Sequence, residues 1–76
     1  MFEIGKLYKF TNIWSTGIYS SQENQSIGKL RQDEIFVLLE QNCFSTYMHY
    51  KILTTKGEIG WISPATIYIQ PVEEQK

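Results

Sequence analysis

The segment Glu34-Ile35-Phe36-Val37-Leu38-Leu39-Glu40 sets five large apolar residues in a row between two carboxylates. Neighbouring side chains of a strand point to opposite faces, so a run without polar alternates reads as a strand buried on both sides or crossing a small barrel. This is the expected central strand. The chain around it has only 76 residues, whereas domains usually run to about 100 to 150. One small core is therefore expected, and a two-domain enzyme is excluded. With 42% hydrophobic, 14% aromatic and 20% charged residues, the chain is apolar enough to fold and unlike a disordered one.

The remaining strands follow from alternation and turn residues. Met48-His49-Tyr50-Lys51-Ile52-Leu53-Thr54 and Glu58-Ile59-Gly60-Trp61-Ile62 read as an antiparallel hairpin joined at Thr55-Lys56-Gly57, with Gly57 supplying the positive φ of a tight turn. Phe2, Ile4, Tyr8 and Phe10 alternate, broken by Lys6, and mark a first strand. Ile67 and Ile69 mark a last one before Pro71 ends pairing. Residues 11 to 28 are dense in Ser, Thr, Asn, Gln and Gly and read as a long folded loop. Residues 41 to 46 read as a shorter one, and Ser63-Pro64-Ala65-Thr66 as a single 3₁₀ or turn element. No stretch carries a helical period. The expectation is an all-β domain over residues 1–72, five short strands around one core, followed by the polar tail 73–76 of a complete small protein.

Gly57-Glu58-Ile59-Gly60-Trp61-Ile62 resembles the Gly-x-x-Gly-Trp-Val signature of bacterial Src-homology-3 domains. Ile27-Gly28-Lys29-Leu30-Arg31-Gln32-Asp33-Glu34-Ile35-Phe36-Val37-Leu38 resembles their Ile-Gly-x-Leu-x-x-Gly-x-x-Val-x-Val stretch, and Ile18-Tyr19-Ser20-Ser21 their Val-Arg-Ser-Gly. Together the first two cover about half of the chain. Asp33 stands where that family has a turn Gly, and Tyr19 where it has Arg. The resemblance implies a five-stranded Src-homology-3-like (SH3-like) small barrel with a one-turn 3₁₀ element before the last strand. It extends to Lys6-Leu7-Tyr8-Lys9-Phe10, similar to the Ala-Leu-Tyr-Asp-Tyr motif of the eukaryotic domains. The rest of their proline-rich peptide groove is missing, because Ser63, Ala65 and Thr66 stand where it needs Pro, Asn and Tyr, and no tandem Trp precedes Met48. Polyproline recognition relies on those aromatic slots.

Catalysis requires a nucleophile, a base and a group that orients the base. Cys43 and His49 are six residues apart across a loop and read as structural. Asp33 and Glu34 are adjacent, hence on opposite faces, and read as turn and solvent charge. Metal-ligand spacings, phosphate loops and dinucleotide fingerprints are lacking, so no enzyme activity, metal or cofactor is expected. With Cys43 the single cysteine, no intrachain disulfide can form, which fits a reducing compartment. The N-terminus has no basic-then-apolar leader and no run of 18 apolar residues occurs, so the expected place is the cytoplasm, without a membrane span.

Two binding functions compete. The net charge is −1, giving no bulk pull toward nucleic acid. Residues 1 to 31 nevertheless carry Lys6, Lys9, Lys29 and Arg31 against Glu3 and Glu23, a net +2, while residues 32 to 76 carry three lysines against six acids, a net −3. A basic edge from those four cations is the nucleic-acid alternative. The favoured expectation is a protein-interaction module with aromatics in its loops, Trp14, Tyr19, Phe44 and Tyr47, as partner-binding anchors. In the resembling family the two corresponding loops flank the ligand groove. On that resemblance, the chain is expected to be a phage or bacterial accessory protein that docks on another protein. Trp61 is expected to pack partly on the core.

Overall fold

Three positions with positive φ, Gly5 (85°), Asp33 (67°) and Gly57 (82°), set the sharp turns in the computed structural model, which describes residues 2–20, 25–44 and 47–72. Between the turns lie β1 (Leu7–Phe10), β2 (Thr16–Tyr19), β3 (Ser26–Leu30), β4 (Ile35–Phe44), β5 (Tyr47–Thr54) and β6 (Ile59–Ile62). A 3₁₀ turn, Thr66–Tyr68, leads into β7 (Ile69–Pro71). The fold is all-β. The strands form one antiparallel seven-stranded sheet in the order β3-β2-β6-β5-β4-β1-β7, open at its two edges.

The β5–β6 hairpin forms as expected. Gly57 N–H donates to Thr54 O (3.0 Å), Thr54 N–H to Glu58 O (2.9 Å), and Glu58 N–H to the Thr54 hydroxyl (3.2 Å). This three-residue loop ends on a left-handed glycine, the residue that adopts such a φ without steric cost.

The strand expected at the centre is β4, an interior strand that lies beside β5, the middle one of the order, and it is not buried on both sides. Phe36 and Leu38 are fully buried, whereas Ile35, Val37 and Leu39 are half-buried. The buried partners come from alternate residues of neighbouring strands, as the pleat requires. Tyr50 and Ile52 of β5, Ile62 of β6, Tyr8 and Phe10 of β1, Ile18 of β2, Leu30 of β3 and Ile69 of β7 complete one core. Phe2 packs against it edge-on to Tyr8 and Tyr50, with ring centroids 5.2 and 5.6 Å away.

Several expected boundaries move. The segment read as a loop over 11 to 28 contains β2 and most of β3, a hairpin whose single apolar residues Ile18 and Leu30 reach the core. Five strands thereby become seven. The loop expected over 41 to 46 is mostly strand, since β4 and β5 stay paired out to Phe44 and Tyr47, and Ser45 and Thr46 lie outside the described residues. The first strand starts only at Leu7, because the chain turns at Gly5, whose N–H donates to Leu38 O (2.7 Å), leaving Ile4 exposed. The 3₁₀ turn falls on Thr66–Tyr68 rather than on 63 to 66, which puts Ile67 on the surface. Pro71 remains within β7, where an edge strand tolerates a missing N–H. The expected tail, 73–76, lies outside the described residues.

Asp33 explains the departure from the glycine expected at that turn. Its φ of 67° is the left-handed conformation, which aspartate enters more readily than most residues. The turn is closed on both sides: Arg31 N–H donates to the Glu34 carboxylate (2.8 Å), and Asp33 N–H donates to Phe10 O (2.6 Å).

Candidate interaction surface

Trp14 stands outside the core. Thr11 N–H donates to Tyr68 O (2.8 Å), which ties the start of the β1–β2 connection to the 3₁₀ turn. The Asn12 side-chain oxygen then accepts from Trp14 N–H (3.1 Å), an Asx turn that reverses the chain. The indole is left 75% exposed, beside an exposed Ile13. Ile67 is exposed on the 3₁₀ turn that Thr11 contacts. Sequence reading passed over Ile13, because a lone aliphatic in a polar loop gives no sign of whether it folds inward, and it placed Ile67 in the last strand rather than on this turn.

Phe44 and Tyr47 are Cα partners at the tip of the β4–β5 pair. Tyr47 is 69% exposed, and the Phe44 side chain lies outside the described residues. β6 ends at Ile62, opposite Tyr50, so the paired residues from Gln41 and Tyr50 outward extend past it as an arm. β2 runs antiparallel to β6, with Tyr19 opposite Trp61, which directs the start of β2 toward the end of β6. The register therefore brings Trp14 and Tyr47 to the same end of the sheet, on either side of β6 and the Ser63–Pro64–Ala65 segment that follows it. Tyr19 lies at the other end of β2. It is 42% exposed, and its ring leans back along the strand over Gly17.

Trp61 is half-buried on the outward face, in one row with Tyr19 and Lys51, and is absent from the core cluster. The four cations come from two strands and the segments that flank them. Lys6 and Lys9 belong to β1 and the residue before it, Lys29 to β3 at the far end of the strand order, and Arg31 to the turn after β3. Two hydrogen bonds, Asp33 N–H to Phe10 O (2.6 Å) and Phe10 N–H to Glu34 O (3.0 Å), tie the end of β1 to that turn.

Cys43 pairs in register with Met48, and His49 with Asn42, so the two side chains belong to alternate faces of the ladder. The Cys43 thiol is exposed. Among the described residues, no group of three His, Cys, Asp or Glu side chains stands together as a metal site, and no helix is long and apolar enough to cross a membrane. Burial pushes the Tyr50 hydroxyl above the ordinary tyrosine pKa, because the phenolate loses its hydration inside the core. Comparison with protein-family models, with curated proteins and with solved structures yields no match.

Proposed function

We propose that this chain is a non-catalytic SH3-like interaction module, a small phage or bacterial accessory protein that docks on another protein in the cytoplasm. Trp14 and Tyr47 are its main anchors, with Phe44 beside Tyr47 at the β4–β5 tip and Tyr19 a further contact at the other end of β2. The barrel reading draws support from the order of elements: a hairpin within the long first connection, a long central strand, a glycine hairpin and a 3₁₀ turn before the last strand. The interaction reading rests on Trp14, a large aromatic held by a hydrogen-bonded turn with three-quarters of its surface in solvent. Aromatics are the side chains that concentrate binding energy at interfaces, at low cost in conformational entropy.

The test is affinity capture of partners from the source cells by the full chain, followed by binding measurements with the purified partner. Trp14→Ala and Tyr47→Ala should each weaken that complex by about 30-fold, the equivalent of roughly 2 kcal/mol per central anchor. Unchanged affinity in both variants overturns the assignment of the surface. Fluorescence anisotropy with single-stranded and duplex probes measures the alternative. Sub-micromolar, salt-resistant binding that is lost on neutralising Lys6, Lys9, Lys29 and Arg31 replaces this reading with a nucleic-acid one.

A further inference from the structure

The outward face of the sheet carries a row of four aliphatic residues on four successive strands. Leu7 of β1 is the Cα partner of Val37 of β4, Val37 of Leu53 of β5, and Leu53 of Ile59 of β6. Leu7 is 48% exposed and Ile59 50%, while Val37 and Leu53 are half-buried. Three strand spacings make the row about 14 Å wide. Ile35 and Leu39 of β4 are also half-buried, and Trp61 extends the apolar surface on β6. A contiguous apolar patch on a sheet face marks an interaction site more often than chance exposure does.

The next row along the strands decides what fits there. A bulge between Leu38 and Glu40 sets Glu40 opposite Lys51, on the same face as Val37 and Leu53. Consider a twofold axis parallel to β4 and β5, midway between them and just above this face. It lays β4 of one copy over β5 of the other and β1 over β6. Val37 then meets Leu53, Leu7 meets Ile59, and Glu40 meets Lys51 twice, once in each direction. A self-complementary patch of this kind is what an isologous dimer requires. Two sheets so arranged pack about 10 Å apart, with their mean strand directions within the roughly 30° of aligned packing.

We infer that this face binds a second copy of the chain, through the Leu7–Val37–Leu53–Ile59 row and reciprocal Glu40–Lys51 pairs. The surface is separate from the Trp14 and Tyr47 end, so the inference stands or falls independently of the partner-docking role.

Sedimentation and light scattering of the full chain over a concentration series test it. The wild type should reach twice the 8.9 kDa chain mass. Glu40→Lys, Lys51→Glu and Ile59→Lys should each remain at chain mass while keeping a cooperative thermal melt. An equimolar mixture of the Glu40→Lys and Lys51→Glu variants should recover the dimer, since each supplies the charge that the other lacks. Repulsion within one chain, where Glu40 and Lys51 are also cross-strand neighbours, cannot be relieved by mixing. A wild type that stays at chain mass at all concentrations overturns the inference. So does a dimer that persists in Ile59→Lys, or a mixture that fails to reassociate although both variants are folded. If both charge variants fail to fold, Ile59→Lys decides alone.

Discussion

The phenol oxygen of Tyr19 lies 2.7 Å from the point that a β-carbon on Gly17 would occupy, with ring atoms at 2.8 and 2.9 Å. Glycine at 17 is what lets the ring fold back along β2. The backbone at Gly17 has no positive φ, so alanine fits the main chain and only the ring must move. Gly17→Ala should lift the half-exposed Tyr19 ring away while changing fold stability by less than about 0.5 kcal/mol, as is usual for surface changes. Loss of the nuclear Overhauser contacts between the ring and residue 17 would show it. A melting temperature lowered as far as by a core truncation would mean that the ring is fixed.

Gly60 makes the opposite case. A β-carbon there would stand 2.6 Å from the buried Ile18 side chain and 2.9 Å from the Tyr19 carbonyl oxygen. Neither neighbour is the loose end of a side chain, so β2 and β6 would have to part. Gly60→Ala should cost about 1 to 3 kcal/mol, the range for overpacking a filled core. Denaturant unfolding measures it, and an unchanged midpoint would show that the two strands separate freely.

These two glycines mark how far the sequence is legible. Gly57 could be placed by local chemistry alone, since a hairpin between two apolar runs needs a left-handed residue at its turn. The Ile35–Leu39 run likewise identifies an interior strand, β4, without reference to the rest of the chain. The β2–β3 hairpin gives no such signal, because Ile18 and Leu30 are single apolar residues among polar ones and become core only through pairing with distant strands. The steric roles of Gly17 and Gly60 emerge only when the register puts Tyr19 beside both. The Leu7–Val37–Leu53–Ile59 row is spread over more than fifty positions, and only strand alignment assembles it. Trp14 stands out in the sequence as a large aromatic in a polar loop, but its solvent exposure rests on the Asn12 and Thr11 hydrogen bonds.

Two of the three left-handed turns, at Asp33 and Gly57, respond in opposite directions to substitution. Asp33 holds a φ of 67° with a side chain that clashes there, and Asp33→Gly should stabilise the fold by up to about 1 kcal/mol. Gly57 at 82° has open space around it, so Gly57→Ala meets no neighbour and should lose about 1 to 2 kcal/mol through backbone strain alone. Paired chemical melts of both variants against the wild type check the signs. A destabilised Asp33→Gly would reveal that the carboxylate itself holds the turn.

Exposure separates surface from core among the aromatics. Phe36 is 1% exposed within the core, and Phe36→Ala should cost about 3 to 5 kcal/mol, enough to unfold much of so small a domain. Trp14→Ala and Tyr47→Ala remove side chains that lie mostly in solvent and should each cost less than about 1 kcal/mol. Trp61, half-buried outside the core cluster, should fall between them. Thermal melts of the four variants rank the positions. Trp14→Ala unfolding as readily as Phe36→Ala would show that the indole supports the fold.

Tyr50 gives the domain an alkaline limit. Its side chain is fully buried between β4 and β6, and burial raises its pKa above the ordinary value of 10.0. Below that ordinary value the hydroxyl is protonated in folded and unfolded chains alike, so the group adds no dependence on pH. As pH rises past it, the unfolded chain releases the proton while the folded chain retains it. The unfolded state then binds fewer protons, and stability must fall as pH increases. The melting temperature should therefore decline above about pH 10, and Tyr50→Phe, which has no proton to lose, should flatten that decline. Every other ionisable group is common to both proteins, so the difference between the two curves isolates Tyr50. Parallel curves through alkaline pH would show that the Tyr50 hydroxyl stays hydrated in the fold.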